Sequence, residues 1–332
     1  MISARNTPMK LTKISYPCLR NAKKFHIAGD RMIFCTGRKA RITDRDFNII
    51  KEIDDLYYTY HSSLSPDQTK ALLVSMDHLF YIIDIESGTS KKITVKAPYN
   101  HNLDGIGCWL SDTEVLIRAV HQHTLLSQLR KYNITNDTYE VVFPEKYKFW
   151  YARRIESEGR CMFIASYENL LHLVWYDGKE LTDLTVCPHL LAFDYEINEK
   201  KRTICCSGIG ESVTFDFEGN VLDGDSDDEI KKLVIDDEKS ITEKERQKQS
   251  IYRRLLGSEL ASLGFVTTVR LSSDMKYLYV GTATDLLVID TEQMKIIKKK
   301  SFEFGVKRIE ELDENTLLLE LFNSMACLKI ER

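Results

Sequence analysis

The stretch LSSDMKYLYVGTATDLLVIDTEQMKII, residues 271–297, decides the fold because apolar strands alternate in it with polar turns. Leu271 closes a first strand, and the polar turn SSDMK leads into an apolar second strand. The turn TATD leads into a third strand that ends on Asp290, and a more polar fourth strand, KIIKKKSF, follows. Runs of β-branched and aromatic residues between such turns are typical of antiparallel β-strands.

The same pattern recurs along the whole chain. The apolar residues that close the first strand of each copy are Ile27, Leu64, Leu110, Ile155, Ile197, Leu271 and Leu312. Their spacings are 37, 46, 45, 42, 74 and 41 residues, so one interval contains an insertion. The third strands end on, or just before, Asp44, Asp84, Asn133, Asp177, Asp216 and Asp290. Seven four-stranded antiparallel units of this length predict an all-β, seven-bladed β-propeller, since a sandwich has no such period and a β-helix has shorter coils.

The last copy ends after its third strand, at Arg332, and therefore lacks a fourth strand of its own. The segment MKLTKISY, residues 9–16, precedes the first copy and has no other obvious partner. We predict that this N-terminal strand completes the last blade. A frayed tail is the alternative interpretation, because chain termini are commonly poorly ordered.

Two copies resemble the blades of WD-repeat and related seven-bladed propellers: LSPDQTKALLVSMDHLFYIIDIESGT, residues 64–89, and LSSDMKYLYVGTATDLLVIDTEQMK, residues 271–295. Blades of that superfamily carry a Ser-Pro-Asp-Gly-like turn before the second strand and an Asp that closes the third. The chain departs from strict WD repeats because no Gly-His dipeptide opens its blades and no Trp-Asp dipeptide closes a third strand. The nearest matches are WYD, residues 175–177, and VID, residues 288–290. The resemblance implies the propeller fold, which hosts both interaction scaffolds and enzymes.

Composition narrows the classes of partner. The 332 residues include 46 basic and 50 acidic side chains, and this near balance argues against a nucleic-acid-binding surface. No apolar run approaches the roughly 18 residues that a membrane-spanning helix needs, and the N-terminus lacks the features of a signal peptide. The eight Cys include no C-x-x-C pair. We therefore expect a cytoplasmic protein without a cofactor, a membrane partner or a nucleic-acid partner.

The insertion, residues 225–263, lies between the fifth and sixth blades of what we expect to be a single domain, residues 1–332. Its first half is acidic, and residues 230–234 are one candidate for the outer strand of the fifth blade. Ser240 and Glu243 form an S-x-x-E capping box, and Leu residues at three- and four-residue steps follow, so a helix is predicted. Its apolar face can pack on its own blade or dock on a partner, and both interpretations stay open.

Several His residues map to one predicted propeller face and are candidate metal ligands: His78, His101, His121 and His123. Neutral imidazole is a common ligand, but eight His in the chain are no enrichment, so ordinary turn residues are the competing interpretation. The sequence contains no G-x-S-x-G elbow and no phosphate-binding loop, so no catalytic residue is predicted.

These observations favour a non-catalytic platform for protein–protein interaction, a scaffold subunit of a larger cytoplasmic assembly. Loops carry recognition in such folds, so the face that bears the connections between blades and the insertion is the expected contact surface. The predicted partner-binding residues are Tyr252, Arg253, Leu256, Leu260, Asp77, His78, His123, Glu168 and Asp285. The alternatives are an enzyme, such as a metal-assisted lyase or hydrolase, or a small-ligand sensor, each with a site at the mouth of the central channel.

Overall fold

A computed structural model gives the fold of the chain. It describes residues 9–75, 79–95, 99–100, 107–124, 126–143, 148–167, 170–187, 194–207, 212–224, 251 and 266–332. The chain divides into two compact units, residues 20–189 and residues 1–19 with 190–332. That residues 1–332 form a single domain stays a prediction. Apart from Ile251, the predicted helical insertion lies outside the described residues, so its helix stays a prediction as well.

The unit of residues 20–189 contains the first four blades, each an antiparallel sheet whose strands pair in chain order. The first two blades consist of β2 (Lys24–Ala28), β3 (Arg31–Cys35), β4 (Ala40–Asp44), β5 (Ile49–Ile53), β6 (Thr59–Leu64), β7 (Lys70–Ser75), β8 (Leu79–Asp84) and β9 (Ser90–Thr94). The next two consist of β10 (Tyr99–Asn100), β11 (Gly107–Trp109), β12 (Glu114–His121), β13 (Ser127–Asn133), β14 (Thr138–Phe143), β15 (Lys148–Ile155), β16 (Arg160–Tyr167), β17 (Leu170–Tyr176) and β18 (Leu181–Cys187), with a 3₁₀ turn at Glu156–Glu158. In the third blade, the short strands β10 and β11 both pair with β12.

The other unit contains blades five to seven and the N-terminal strand. Its strands are β1 (Lys10–Ile14), β19 (Asp194–Asn198), β20 (Thr203–Ser207), β21 (Ser212–Asp216), β22 (Val221–Gly224), β23 (Val266–Leu271), β24 (Tyr277–Thr282), β25 (Asp285–Asp290), β26 (Lys295–Ser301), β27 (Val306–Asp313), β28 (Thr316–Leu321) and β29 (Met325–Glu331), with a 3₁₀ turn at Pro17–Leu19. The seven antiparallel sheets, in the third of which β10 and β11 share the place of the first strand, confirm the predicted seven-bladed propeller.

The N-terminal strand completes the last blade, as predicted. β1 pairs antiparallel with β29, with Lys10 opposite Glu331 and Ile14 opposite Cys327. One detail of the sequence interpretation is wrong: the outer strand of the fifth blade is β22, not residues 230–234. Val221 at the start of β22 is buried and packs into the blade, which fixes this earlier segment as the edge strand.

The repeated acids and amides at the ends of the third strands form turns. The side-chain oxygens of Asp44, Asp84, Asn133, Asp177, Asp216 and Asp290 each accept a backbone N–H from two or three residues ahead, at 2.8–3.0 Å. Such side-chain-to-backbone bonds stabilise tight turns. Asp290 is therefore a turn-forming residue.

The core lies between consecutive blades within each unit. On β7, Ala71 and Leu73 pack with the first blade, whereas Leu72 and Val74 pack with the third. A strand buried on both faces needs apolar residues at consecutive positions rather than at alternate ones. This requirement explains the continuous apolar second strands that reveal the repeat in the sequence.

Most outer strands pair with their neighbour through a β-bulge. The pairing of third and outer strand shifts by one residue in blades one, three, four, five and six. Such β-bulges twist an exposed edge and hinder its pairing with another chain. The edges are regular in blades two and seven.

The antiparallel order gives each blade two distinct ends. One end carries the turn between the second and third strands and the segment that leads to the next blade. We call it the connection end. The opposite end carries the turns between first and second and between third and fourth strands. The predicted partner-binding face corresponds to the connection ends.

Candidate functional site

Exposed apolar side chains are distributed unevenly over the described residues. Those in loops are Tyr57, Tyr58 and Phe322, which are 43%, 43% and 58% exposed. All three lie at connection ends, since Tyr57 and Tyr58 link β5 to β6 and Phe322 lies in the turn between β28 and β29. The other large exposed apolar side chains of the described chain lie on outer strands: Ile49, Ile50, Tyr139, Val141, Ile296 and Ile297.

The segment bearing the two tyrosines is tied to the first blade. Leu56, just before them, is buried in the core between blades one and two. Its N–H donates to the carbonyl of Arg38 at 2.9 Å, and the N–H of Thr59 donates to the carbonyl of Gly37 at 3.2 Å. These bonds join the connecting segment to the second-to-third-strand turn of the same blade, so the tyrosines sit on an ordered support.

The segment that bears the tyrosines has an uncommon backbone conformation at two of its residues. Tyr58 has a φ of 36° and Asp55 a φ of 60°, both in the left-handed region. Aspartate is among the residues that tolerate this region, whereas a bulky residue such as Tyr58 adopts it rarely. The two rings meet edge to face with their centroids 5.0 Å apart. The segment thus exposes two aromatic rings that contact each other.

Phe322 is positioned by a close backbone contact. Its N–H donates to the carbonyl of Gly305 at 3.0 Å. A Cβ at residue 305 would lie 2.5 Å from the carbonyl oxygen of Ala283, so only glycine fits. This glycine brings together the second-to-third-strand turns of blades six and seven, from which Phe322 projects into solvent.

Asp285, a predicted partner-binding residue, lies at the connection end of blade six with only 9% of its surface exposed. Its carboxylate accepts hydrogen bonds from Ser301 Oγ at 2.6 Å and Thr284 Oγ1 at 2.8 Å, and it pairs with Lys299 Nζ at 2.9 Å. Burial opposes ionisation of this carboxylate, but these hydrogen bonds outweigh it and lower its pKa. The structure shows a carboxylate engaged by its own blade; a role in partner binding stays a prediction.

The described members of the His group lie together at the connection end of blade three. The rings of His121 and His123 are 5.8 Å apart. Nδ1 of His121 accepts the backbone N–H groups of His123 at 3.3 Å and Thr124 at 3.2 Å, so this nitrogen serves the local turn. Within the part of the chain that the structure describes, no three His, Cys, Asp or Glu side chains form a group that could hold a metal ion.

The remaining predicted site residues lie outside the described residues: the candidate ligands His78 and His101, and the partner-binding residues Asp77, Glu168, Tyr252, Arg253, Leu256 and Leu260. The metal site and the insertion surface therefore stay predictions. The sequence interpretation overlooked Tyr57, Tyr58 and Phe322. The signals were present as DDLYYTY, residues 54–60, and LFNSM, residues 321–325, where aromatic residues occupy polar turns.

Comparison with known proteins identifies the fold. No protein-family model and no curated protein matches the chain. The β-propeller domain of Cps50 (Swd1) from Myceliophteria thermophila aligns with a TM-score of 0.57 and 10% identity, over 98% of this chain and 100% of that one. The C-terminal WD40 domain of Sif2 aligns with a TM-score of 0.56 and 9% identity, over 94% and 82%. The Dos1 propeller aligns with a TM-score of 0.52 and 11% identity, over 90% and 75%.

At these identities the likeness concerns the fold alone, which is that of the WD40 β-propellers. It agrees with the resemblance of residues 64–89 and 271–295 to WD-like blades. Among the helices of the described residues, none is long and apolar enough to cross a membrane.

Proposed function

We propose that this protein is a non-catalytic platform that binds a protein partner through the connection ends of its blades. One observation carries the proposal: every large apolar side chain that the described loops expose, Tyr57, Tyr58 and Phe322, lies at a connection end. Aromatic residues are enriched where interfaces derive most of their binding energy. Their restriction to the connection ends favours recognition over simple solvation.

The rigidity of this surface supports the proposal. Binding a partner costs the entropy of every side chain and loop that becomes ordered. The segment before Tyr57 is already fixed by buried Leu56 and by hydrogen bonds to the turn at Gly37 and Arg38. A surface ordered in advance loses less entropy on association.

The finer features of the proposal rest on the sequence. We propose that the chain is a scaffold subunit of a larger cytoplasmic assembly and that the insertion adds its apolar helix face to the contact. Deleting residues 238–263 should leave a folded propeller and weaken the partner's retention. Unchanged retention would remove the insertion from the interface.

The test is affinity purification of the tagged full-length protein from its native cell, with quantitative mass spectrometry. We compare the amount of partner recovered with each variant and with the parent protein. The double variant Tyr57→Ser, Tyr58→Ser should recover at least about tenfold less than the parent, and so should Phe322→Ser, as expected for interface anchors. Ile50→Ser and Ile296→Ser are matched controls, because these residues are 50% and 43% exposed but lie on outer strands. Equal losses with the controls, or none with the loop variants, would contradict the proposal.

A further inference from the structure

Arg130 on β13 is held in an aromatic clamp. Its guanidinium carbon lies 4.4 Å from the ring centroid of Tyr99 and 5.3 Å from that of Tyr139. Its Nε and Nη2 donate to Gln128 Oε1 at 3.1 and 3.0 Å. Gln128 Nε2 in turn donates to Tyr99 Oη at 2.7 Å. The guanidinium is thus held on one edge by Gln128 and contacts two aromatic rings.

What distinguishes Arg130 is the lack of a counter-ion. Three other arginines stack on described aromatic rings, and each is paired with a carboxylate: Arg160 on Trp175 with Glu158, Arg202 on Phe217 with Glu218, and Arg332 on Tyr277 with Asp274. Arg130 forms no ion pair among the described residues, and its only hydrogen-bond acceptor there is the neutral Gln128.

This cation is nevertheless almost fully buried, with 8% of its surface exposed. Burial lowers the pKa of Arg130, as expected for a cation withdrawn from water. A buried charge without a partner is destabilising. The chain therefore carries an unfavourable charge that an incoming anion would compensate.

One edge of the guanidinium remains available. Gln128 occupies the side formed by Nε and Nη2, whereas Nη1 has no acceptor among the described residues. Nη1 is not enclosed by protein atoms, so it reaches solvent. An arginine presents two parallel N–H groups along its end, and these match the two oxygens of a carboxylate.

We propose that Arg130 binds a carboxylate side chain of the protein partner through this free end, with Tyr139 and Val141 contacting the neighbouring apolar groups. Tyr139 and Val141 are 54% and 48% exposed beside it on β14. A single unpaired cation balances the one charge of a carboxylate, whereas phosphoryl groups are usually bound by clusters of arginines. The inference rests on the proposed function, since it names the chemistry that the platform recognises.

One side of the clamp lies near the connection end of blade three. Tyr99 pairs with His121 at the end of β12, which is the connection end of blade three. Gln128 is the second residue of β13, and this strand begins at the same end. Arg130 itself is in the middle of β13, and Tyr139 pairs with Tyr132 toward the opposite end of the blade.

The test uses the full-length protein with ¹⁵N-labelled arginine. Blocked tetraglutamate is the probe, blocked tetraglutamine the neutral control, and a blocked peptide of the same length with one phosphoserine the third ligand. The Nε–Hε resonance of Arg130, assigned by its loss in Arg130→Gln, should shift saturably with tetraglutamate and not with tetraglutamine. Arg130→Gln should weaken tetraglutamate binding at least about tenfold, the loss of one charged bidentate contact.

Arg160→Gln is the matched control, because Arg160 stacks on Trp175 at 4.3 Å but already has Glu158 as partner; it should leave binding unchanged. Arg130→Lys keeps the charge without the fork and should bind more weakly than the parent. An Arg130 resonance that tetraglutamate does not move, or equal binding by Arg130→Gln, would overturn the inference. Tighter binding of the phosphoserine peptide would overturn the assignment to a carboxylate.

The two proposals can fail separately. If the Tyr57 and Tyr58 variants lose the partner but tetraglutamate does not bind at Arg130, the platform stands and this inference fails. If tetraglutamate binds at Arg130 but the loop variants retain every protein recovered with the parent, the proposed interaction surface fails instead.

Discussion

The backbone N–H of Tyr57 donates a hydrogen bond to the phenol oxygen of Tyr81, 3.1 Å away. Tyr81 lies on β8 with 3% of its surface exposed, and burial raises the pKa of its phenol. This bond ties the segment between blades one and two to the third strand of the second blade. The buried Tyr81 thereby positions the exposed pair of Tyr57 and Tyr58.

Replacing Tyr81 by Phe should release this segment. The change leaves the N–H of Tyr57 without its acceptor and keeps the buried ring, so we expect a loss of about 0.5–1.5 kcal/mol in the free energy of unfolding. Urea denaturation measures it. Tyr57→Phe, which keeps the backbone N–H, should change stability by less than about 0.5 kcal/mol; equal effects of both variants would exclude this role for Tyr81.

Gly305→Ala should distort the site of Phe322. The new Cβ would lie 2.5 Å from the carbonyl oxygen of Ala283, and relief of that overlap should cost about 1–3 kcal/mol of unfolding free energy. The partner recovered in affinity purification should fall with it, because the carbonyl of Gly305 accepts the N–H of Phe322.

Gly159→Ala is the comparison for that measurement. A Cβ there meets nothing within 4 Å, and only its φ of 62° opposes a side chain. We expect a cost of about 1 kcal/mol from the left-handed backbone and unchanged partner recovery. A larger loss at residue 159 than at residue 305 would refute the steric explanation.

Glu311 on β27 should make stability fall as pH rises. Its Oε2 accepts the N–H of Ser273 at 2.6 Å, while burial, the largest influence, raises the pKa of the carboxyl above its ordinary 4.5. The folded chain therefore holds this proton more tightly than the unfolded chain. The resulting stabilisation is complete below pH 4.5 and is lost as pH rises through the higher folded-state pKa.

Glu311→Gln tests this directly, because glutamine stays neutral and keeps an oxygen for Ser273. The unfolding free energy of the variant relative to the parent should increase between pH 4 and pH 7 in a series of urea titrations. A difference that stays constant across this range would show that Glu311 titrates alike in both states.

Asp285→Asn should have the opposite pH dependence. The parent carboxylate has a lowered pKa, so its stabilisation is present above its ordinary pKa of 3.8 and is lost as pH falls through the lower folded-state value. At pH 7 we expect the variant to lose about 1–3 kcal/mol, as for a charged hydrogen-bonding group. Asp46→Asn, at an exposed carboxylate, should be neutral. A fully stable Asp285→Asn protein that loses its partner would instead support direct contact.

The fold could be predicted because its determinants are local and repeated. The apolar second strands must face two neighbouring blades, as Leu72 and Leu73 do, and this double burial leaves continuous apolar runs in the sequence. Turn residues such as Asp44 and Asp216 act on N–H groups a few positions ahead, so their spacing is visible without a structure. The number of strands in the last copy likewise predicts that residues 9–16 belong to the last blade.

The site depends on relationships that the sequence does not display. The sequence places Arg130 among ordinary charged residues, and only the fold shows that Tyr99 and Tyr139 bury it without a carboxylate. The engagement of Asp285 by Ser301 likewise joins positions 16 residues apart. Charge and His content in the loops do not point to Tyr57 and Tyr58, because the exposure of their rings follows from tertiary structure.

The pairing of β1 with β29 has a consequence for biosynthesis. β1 emerges from the ribosome first, whereas β29 emerges after some 300 further residues, the separation of Lys10 and Glu331. Until then, β1 has no partner strand, and β29 in turn exposes an unpaired edge until β1 reaches it. Closure of this long loop should be slow. We therefore expect the unpaired state to last longest at β1, the strand of this propeller that is synthesised first.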